Sequence, residues 1–224
     1  VIITTKKANK SGGSLTFDSY VGVSTIIKKL DVLSADQYRA AIKNPAYDHK
    51  GNTDWQDVIY KSGVTKNNSL SYSKQTESGN YYLSISQMDQ EGIVGNSNFK
   101  RTSGRINATE SFLDDKRLKV KASITTSETI DKGIPSSDDG GSNGHLIIHA
   151  LMANPTQSVF DASGNYTNFN LNQHYNPAYL LDIYEDETRT LRVLGNLEPS
   201  FRIVKGLEYK MNLGVDLSTS ERNT

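Results

Sequence analysis

The sequence predicts an all-β chain of antiparallel strands, either one wall of a large transmembrane barrel or a soluble sandwich. Three observations carry this. Several stretches alternate apolar and polar residues with period 2. Short turns alternate with long connections. No apolar run approaches the roughly 20 residues of a spanning helix, and Leu146-Ile147-Ile148 is among the longest. A barrel strand needs only about 10 residues, half of them polar, so a barrel reads as hydrophilic on average.

At 224 residues the chain has room for one large domain or two small ones. Its 25 basic and 25 acidic residues cancel, which removes any electrostatic argument for nucleic acid or an anionic surface. There is no cysteine, so disulfides and thiolate metal sites are excluded. Val1-Ile2-Ile3-Thr4-Thr5 is a β-branched run that reads as a strand already in progress. The expectation is a piece of a longer protein, cut upstream inside a folded region, with a mature protein whose leader was removed as the alternative.

A charged, Gly-rich joint follows at residues 8–13. Leu15, Phe17, Ser19, Val21 and Val23, a mostly apolar face, then alternate with Thr16, Asp18, Tyr20 and Gly22, which predicts a strand. Ser34 is placed to cap a short helix over residues 35–43, with Tyr38 and Ile42 on one face and Pro45 as its stop. Residues 54–94 read as a polar-alternating hairpin that opens into a Gly-containing loop. Strands are expected at 69–75, 80–88, 99–109, 117–127, 189–203 and 207–219. Turns fall at Thr76-Glu77-Ser78-Gly79, Asp114-Asp115-Lys116 and Lys205-Gly206. Residues 28–66 and 128–188 are the long connections, and the second is far longer than hairpin loops of compact soluble domains. Connection length therefore favours the barrel, whose short turns lie at one end and long loops at the other, over a soluble or surface-exposed sandwich that binds glycan or protein without transport.

Several short segments occur in an order that resembles the SusC/RagA family of TonB-dependent outer-membrane transporters. Val1 to Lys7 looks like the last strand of that family's plug domain and its basic exit. Val32-Leu33-Ser34-Ala35-Asp36-Gln37-Tyr38 resembles the segment after the first barrel strand. Thr53-Asp54-Trp55-Gln56-Asp57, Asn80-Tyr81-Tyr82-Leu83-Ser84 and Asp89-Gln90-Glu91-Gly92-Ile93 are similar to family motifs. Phe99-Lys100-Arg101, Arg105-Ile106-Asn107, Ala153-Asn154-Pro155-Thr156, Asp161 to Tyr166 and Asn176-Pro177 continue the order.

The resemblance implies a plug strand at 1–7, a linker at 8–13 and barrel from 14 to 224. That is about the first seven strands of a barrel of about 22, with long extracellular loops and a short helix in the first loop. It implies residence in the outer membrane of a Gram-negative cell, surrounded by lipid. It also implies import of an oligosaccharide or peptide handed over by a SusD-like surface lipoprotein, with energy from TonB acting through the missing N-terminal part. Asp54, Trp55, Gln56, Asp57, Asp89, Gln90, Glu91 and Gly92 are expected to be structural. Neither cofactor, metal, nucleic acid nor catalysis is expected.

Candidate chemistry read from the residues is sparse. His145 and His149 are four apart, the spacing of two ligands on a helix, but two ordinary loop histidines are the expected reading. Asp138-Asp139-Gly140-Gly141 and Asp161-Ala162-Ser163-Gly164-Asn165 offer calcium-type oxygens, with turn chemistry the expected reading. Asp114 with Asp115, or Asp54 with Asp57, are weak as a glycosidase pair, because adjacent acids in a turn point apart. Tyr72 and Tyr81 are expected in the aromatic girdle of a barrel. Tyr166, Tyr175 and Tyr179 are the candidates for lid contact, sugar contact or loop packing.

Overall fold

A computed structural model of the chain describes residues 12–135, 145–169 and 175–224. Its body is one antiparallel sheet. Strands β1 (Gly12–Ser24), β2 (Gly63–Gln75), β3 (Gly79–Glu91), β4 (Asn98–Phe112), β5 (Leu118–Lys132) and β6 (Glu187–Val204) lie side by side in chain order. Strands β7 (Leu207–Lys210) and β8 (Leu213–Asn223) both pair with β6. Helices α1 (Ala35–Ala41), α2 (Trp55–Ile59), α3 (Leu146–Met152) and α4 (Pro177–Ile183) lie in the two long connections. The segments expected at 1–7, at most of 8–13 and at Asp138-Asp139-Gly140-Gly141 lie outside the described residues.

The strands are long, 13 residues for β1 to β3, 15 for β4 and β5, and 18 for β6. At about 3.3 Å per residue and a tilt near 40°, even 13 residues rise roughly 33 Å, more than the apolar band of about 25 Å that a barrel presents to a bilayer. A typical strand of a soluble domain is about half as long.

Register separates the two faces. One row across the sheet reads Leu15, Tyr72, Leu83, Ile106, Ile124, Gly195 and Val215. A row on the other face reads Asp18, Ser69, Ser86, Ser103, Ser127, Arg192 and Ser218. Ser86 and Ser103 hydroxyls bond to each other at 2.7 Å. The apolar face stands open, with Phe17 65 % and Leu217 61 % exposed. Among the described residues every buried hydrophobic side chain lies outside the strands. A sandwich requires a second layer over that face, and none of the described residues forms one. Leu207, Met211 and Val215 share the apolar parity, whereas Lys210 and Asp216 fall on the polar face. Outward aromatics Tyr72, Tyr81, Phe112, Phe201 and Tyr209 cluster toward the tight-turn end, where interfacial rings suit a barrel.

The ends of the sheet differ. Residues 76–78, 113–117 and 205–206 close one end tightly. Thr76 seals the first of these turns, with Gly79 N–H donating to its hydroxyl at 2.9 Å. In the last, Gly206 takes φ +91°, a conformation that a side chain disfavours. All three longer connections, 25–62, 92–97 and 133–186, leave the opposite end.

Four local expectations are corrected. The hairpin does not begin at Asp54, because that carboxylate accepts from the N–H groups of Gln56 and Asp57 and starts α2 instead. α1 stops at Ala41 rather than residue 43, because Ile42 and Asn44 are extended ahead of Pro45. Gly12 and Gly13 pair with Gln75 and Lys74 inside β1 rather than in the joint. The last strand is two, interrupted at Met211 and Asn212 beside a bulge in β6 between Arg202 and Val204. Seven strand positions thus hold eight strands.

The facing assignment is testable in the full-length protein in lipid vesicles. Ile106→Arg should cost about 2–4 kcal/mol in a denaturant titration, and Ser86→Arg on the polar face less than about 1 kcal/mol. Equal costs would contradict the assignment.

Candidate functional site

The only hydrophobic core among the described residues lies where the long connections meet, as a helical cap over one end of the sheet. It contains Trp55 and Ile59 from α2, Val94 from the connection after β3, Leu146 and Ala150 from α3, Leu180 from α4, and Phe169. The helices are short, so local propensity alone cannot hold them, and each relies on a side-chain cap. Asp54 caps α2, His145 caps α3 through Ile148 N–H, and Asn176 caps α4 ahead of Pro177. Residues four apart, Trp55 with Ile59 and Leu146 with Ala150, then face the shared core.

Every residue of the Thr53-to-Asp57 segment has a partner outside it. Thr53 Oγ1 donates to Gln157 O at 2.6 Å, and its N–H donates to Pro155 O at 2.9 Å. Trp55 is 3 % exposed, packs edge-on to Phe169 at 5.4 Å and donates its indole N–H to Asn154 O at 3.0 Å. Gln56 is buried and grips one residue twice: Leu30 N–H donates to Oε1 at 3.0 Å, and Nε2 donates to Leu30 O at 2.8 Å. Asp54 and Asp57 share Lys29, which lies 3.0 Å from Asp54 Oδ2 and bonds Asp57 Oδ1 more closely. These two carboxylates raise the Lys29 ammonium pKa. Burial pushes the Asp54 carboxyl up, but Lys29 and the two capping N–H groups outweigh it and hold it below the usual range. Both acids are therefore occupied by a cation and a helix start.

The two long connections are stitched together. Gly51 N–H donates to Thr156 O at 2.6 Å, His49 N–H to Thr156 Oγ1 at 3.0 Å, and Asn154 Nδ2 to Tyr47 O at 2.7 Å. A Cβ on Gly51 would meet Thr156 O at 2.6 Å, so the approach requires glycine. Behind this seam, Asp48 receives Lys50 Nζ at 2.6 Å, Lys50 N–H at 2.9 Å and Arg39 Nε at 3.1 Å. The Lys50 ammonium, then its backbone N–H, with Arg39 assisting, hold the Asp48 carboxyl at about 2. The connection after β3 joins the same body through Gly95 N–H to Ile59 O at 2.8 Å and Asn96 Nδ2 to Leu181 O at 2.5 Å.

Asp89, Gln90, Glu91 and Gly92 lie at the exit of β3. Asn98 Nδ2 donates to Asp89 Oδ1 at 2.8 Å and to Gln90 O at 3.3 Å, and Val64 N–H reaches Glu91 Oε2 at 3.3 Å. Gly92 N–H donates to Ser97 O at 3.0 Å, and a Cβ there would collide with the Ser97 hydroxyl. The four set the geometry of a tight exit loop.

The candidate tyrosines separate into two places. Tyr166 and Tyr179 meet at 5.7 Å, and Tyr166 also stacks on Phe160 at 5.0 Å, which makes a row of three rings. Phe160 and Tyr179 are exposed, while Tyr166 is half-buried, and burial with nearby Asp182 raises its phenol pKa. Tyr175 is not in this row; its ring meets His149 edge-on at 5.9 Å and its N–H donates to His149 Nδ1 at 3.4 Å. Phe160 was missed in the sequence, where a lone Phe beside a turn carries no periodic signal. His145 and His149 lie on a helix rather than in a loop, one as its cap and the other buried in the cap's core. Asp161 Oδ1 accepts from Ser163 and Asn165 N–H, which closes a local turn. Among the described residues no cluster of three His, Asp or Glu side chains could hold a metal.

Known proteins resemble this arrangement. The TonB-dependent receptor P3 of Formosa agariphila is 29 % identical over 220 residues, 96 % of this chain and 22 % of its own length. The TonB-dependent receptor SusC of Bacteroides thetaiotaomicron is 29 % identical over 255 residues, all of this chain and 25 % of its own length. The RagAB peptide importer in its 'closed-closed' state superposes with a TM-score of 0.74 at 22 % identity, over 96 % of this chain and 29 % of that one. Over its length the chain is similar to a segment of these TonB-dependent receptors. No protein-family model matches it. It spans about a quarter of the curated relatives' length. The sheet thus has the fold of part of a large antiparallel barrel, with one Ser-rich face and one apolar face.

Two measurements probe the cap. Trp55→Ala should lower its local stability by about 3–5 kcal/mol, seen as faster amide exchange in α3 and α4 with the strands unchanged. Asp48, depressed from 3.8 to about 2, contributes stability above pH 4 that is lost as pH falls from about 4 to about 2. Amide exchange around residues 48–51 should rise in that window, and Asp48→Asn should flatten the dependence.

Proposed function

We propose that this chain is the N-terminal barrel wall and loop cap of a TonB-dependent outer-membrane importer. In this reading residues 1–7 end the plug, 8–13 link it to the barrel, and the barrel runs from 14 to 224. The cargo is an oligosaccharide or a peptide, handed over by a SusD-like surface lipoprotein. The observation that carries this is the asymmetry of the sheet: all three longer connections leave one end and build a common hydrophobic body there, while the other end is closed by tight turns. A barrel with that polarity places its turns on the periplasmic side and its cap outside.

Three features support a capture role for the cap. It exposes Phe160, Tyr175, Tyr179, Met152 and Ile183, more apolar surface than a solvated loop requires. Rings of this kind serve as anchors at protein interfaces and fit the faces of sugar rings. The polar wall below, lined by Ser, Thr and Asn, offers hydrogen bonds along the passage. Tyr166, Tyr175 and Tyr179 are the residues assigned to contact with the lid or the cargo.

The test uses the whole transporter in its native membrane. It should resist salt washing and require detergent for release, and uptake should stop when TonB is removed. Tyr179→Ala and Tyr175→Ala should each weaken lid lipoprotein or cargo binding by about 1–2 kcal/mol, roughly tenfold in Kd. Release by salt alone would refute the importer reading.

A further inference from the structure

Curvature and positive charge coincide on the polar side of the sheet. Ser71, Ser84 and Ser86 are half-buried, whereas the larger Leu70 and Ile85 beside them are 42 % and 57 % exposed. Small residues covered more than large ones mean that the sheet curls toward its polar face. Arg101 and Arg105 project from β4 on that face, with Ser103 between them. In register around them stand Ser84, Ser86 and Met88 on β3 and Thr125, Ser127 and Thr129 on β5. Four residues of strand separate the two arginine Cα atoms by about 13 Å. Arg105 sits at the midpoint of β4, and Arg101 lies between it and the cap.

The sheet itself neutralises neither guanidinium. Among the described residues neither forms an ion pair, and Arg105 donates only from Nε, to the Asn107 amide. The three register rows through Arg101, Ser103 and Arg105 carry no carboxylate from β2 to β5. Elsewhere on this face, Glu198, Glu208 and Asp216 are held by Lys121, Lys210 and Arg192. Asp18 lies away on β1, and Asp131 lies one row nearer the cap without an ion pair to Arg101. An anion that enters here meets positive charge without displacing a carboxylate. A concave wall of one sign also concentrates that field.

The lining narrows the class of anion. Guanidinium binds carboxylate through two parallel N–H···O bonds. Ser and Thr hydroxyls both donate and accept, which matches the hydroxyls of a sugar. Peptides dock by adding a strand to a free edge or by filling apolar and aromatic grooves. Strands β2 to β5 are paired on both sides, and Met88 is their one apolar side chain in these three rows.

We propose that Arg101 and Arg105 bind the carboxylates of an acidic oligosaccharide cargo, with the surrounding Ser and Thr hydroxyls taking its sugar hydroxyls. The assignment rests on the importer reading above. It names the cargo as a uronate-type sugar rather than a neutral sugar or a peptide.

The experiment dialyses the full-length transporter, purified in detergent, against hexagalacturonate and hexamannuronate. Carboxyl-reduced hexagalacturonate and hexaglutamate are the comparisons. The wild type should bind at least one uronate, and Arg101→Gln and Arg105→Gln should each weaken that binding roughly tenfold. Lys100→Gln, adjacent on β4 but on the opposite face, should match the wild type. The reduced sugar should bind roughly tenfold more weakly than the uronate and respond to neither arginine. Hexaglutamate should also bind more weakly. Heat-modifiable migration confirms folding, and Arg101→Lys and Arg105→Lys, each with a several-fold loss, replace a Gln variant that does not fold. Binding of neither uronate, equal binding of the reduced sugar, or equal arginine-dependent binding of hexaglutamate overturns the proposal. So does unchanged uronate binding by the arginine variants, the result expected if these side chains instead seat a plug. Arginine-dependent uronate binding by a protein that salt alone releases from its native membrane would refute the importer reading and leave this site standing.

Discussion

Hydrocarbon offers no hydrogen-bond partner, so a wall that borders it must pair its backbone N–H and C=O groups within the sheet. The ladders from β3 to β6 obey this over the full length of β3, β4 and β5. Every residue from Asn98 to Phe112 has a partner on β5, and every residue of β5 has one on β6. The same constraint fixes the side chains, because a slip of one residue would exchange the serine row for the leucine and isoleucine row. It also accounts for strands that carry no buried hydrophobic residue: in the proposed barrel their apolar surface would be satisfied by lipid rather than by a second layer.

With neither face of the sheet covered by protein, the hydrophobic core of the described residues lies beyond the end of the sheet, and the cap holds it. Water replaces lipid there, so the usual rules of globular packing return. Trp55, Leu146 and Leu180 are buried, and polar groups inside find partners, as Gln56 does on Leu30. The chain thus obeys two solvents at once, and the change occurs within a few residues of Gly63, Glu91 and Glu187.

The alternation of the strands was legible in the sequence because period-2 patterning is a local signal, and so was the order of short and long connections. The cap of α1 at Ser34 was legible for the same reason, since capping is decided within four residues. The role of Asp54 was not. Asp54-Trp55-Gln56-Asp57 has no apolar period of its own, and its helix depends on partners at Leu30 and Asn154, far along the chain. α3 and α4 were hidden likewise, because seven residues inside a polar connection give too short a window for helical periodicity. Of the site, Tyr166 and Tyr179 were legible as residue types, but their stacking with Phe160 is a product of tertiary folding.

The seam between residues 47–53 and 154–157 joins segments about a hundred positions apart. Contacts of such separation are slow to form, because a long loop must close before anything rewards it. The cap therefore matures after four further strands have been added to the wall, late in biogenesis. Its two halves are also bound to a shared fate under mutation. An insertion in one connection shifts the backbone groups that the other needs, so an insertion there requires a matching change in its partner.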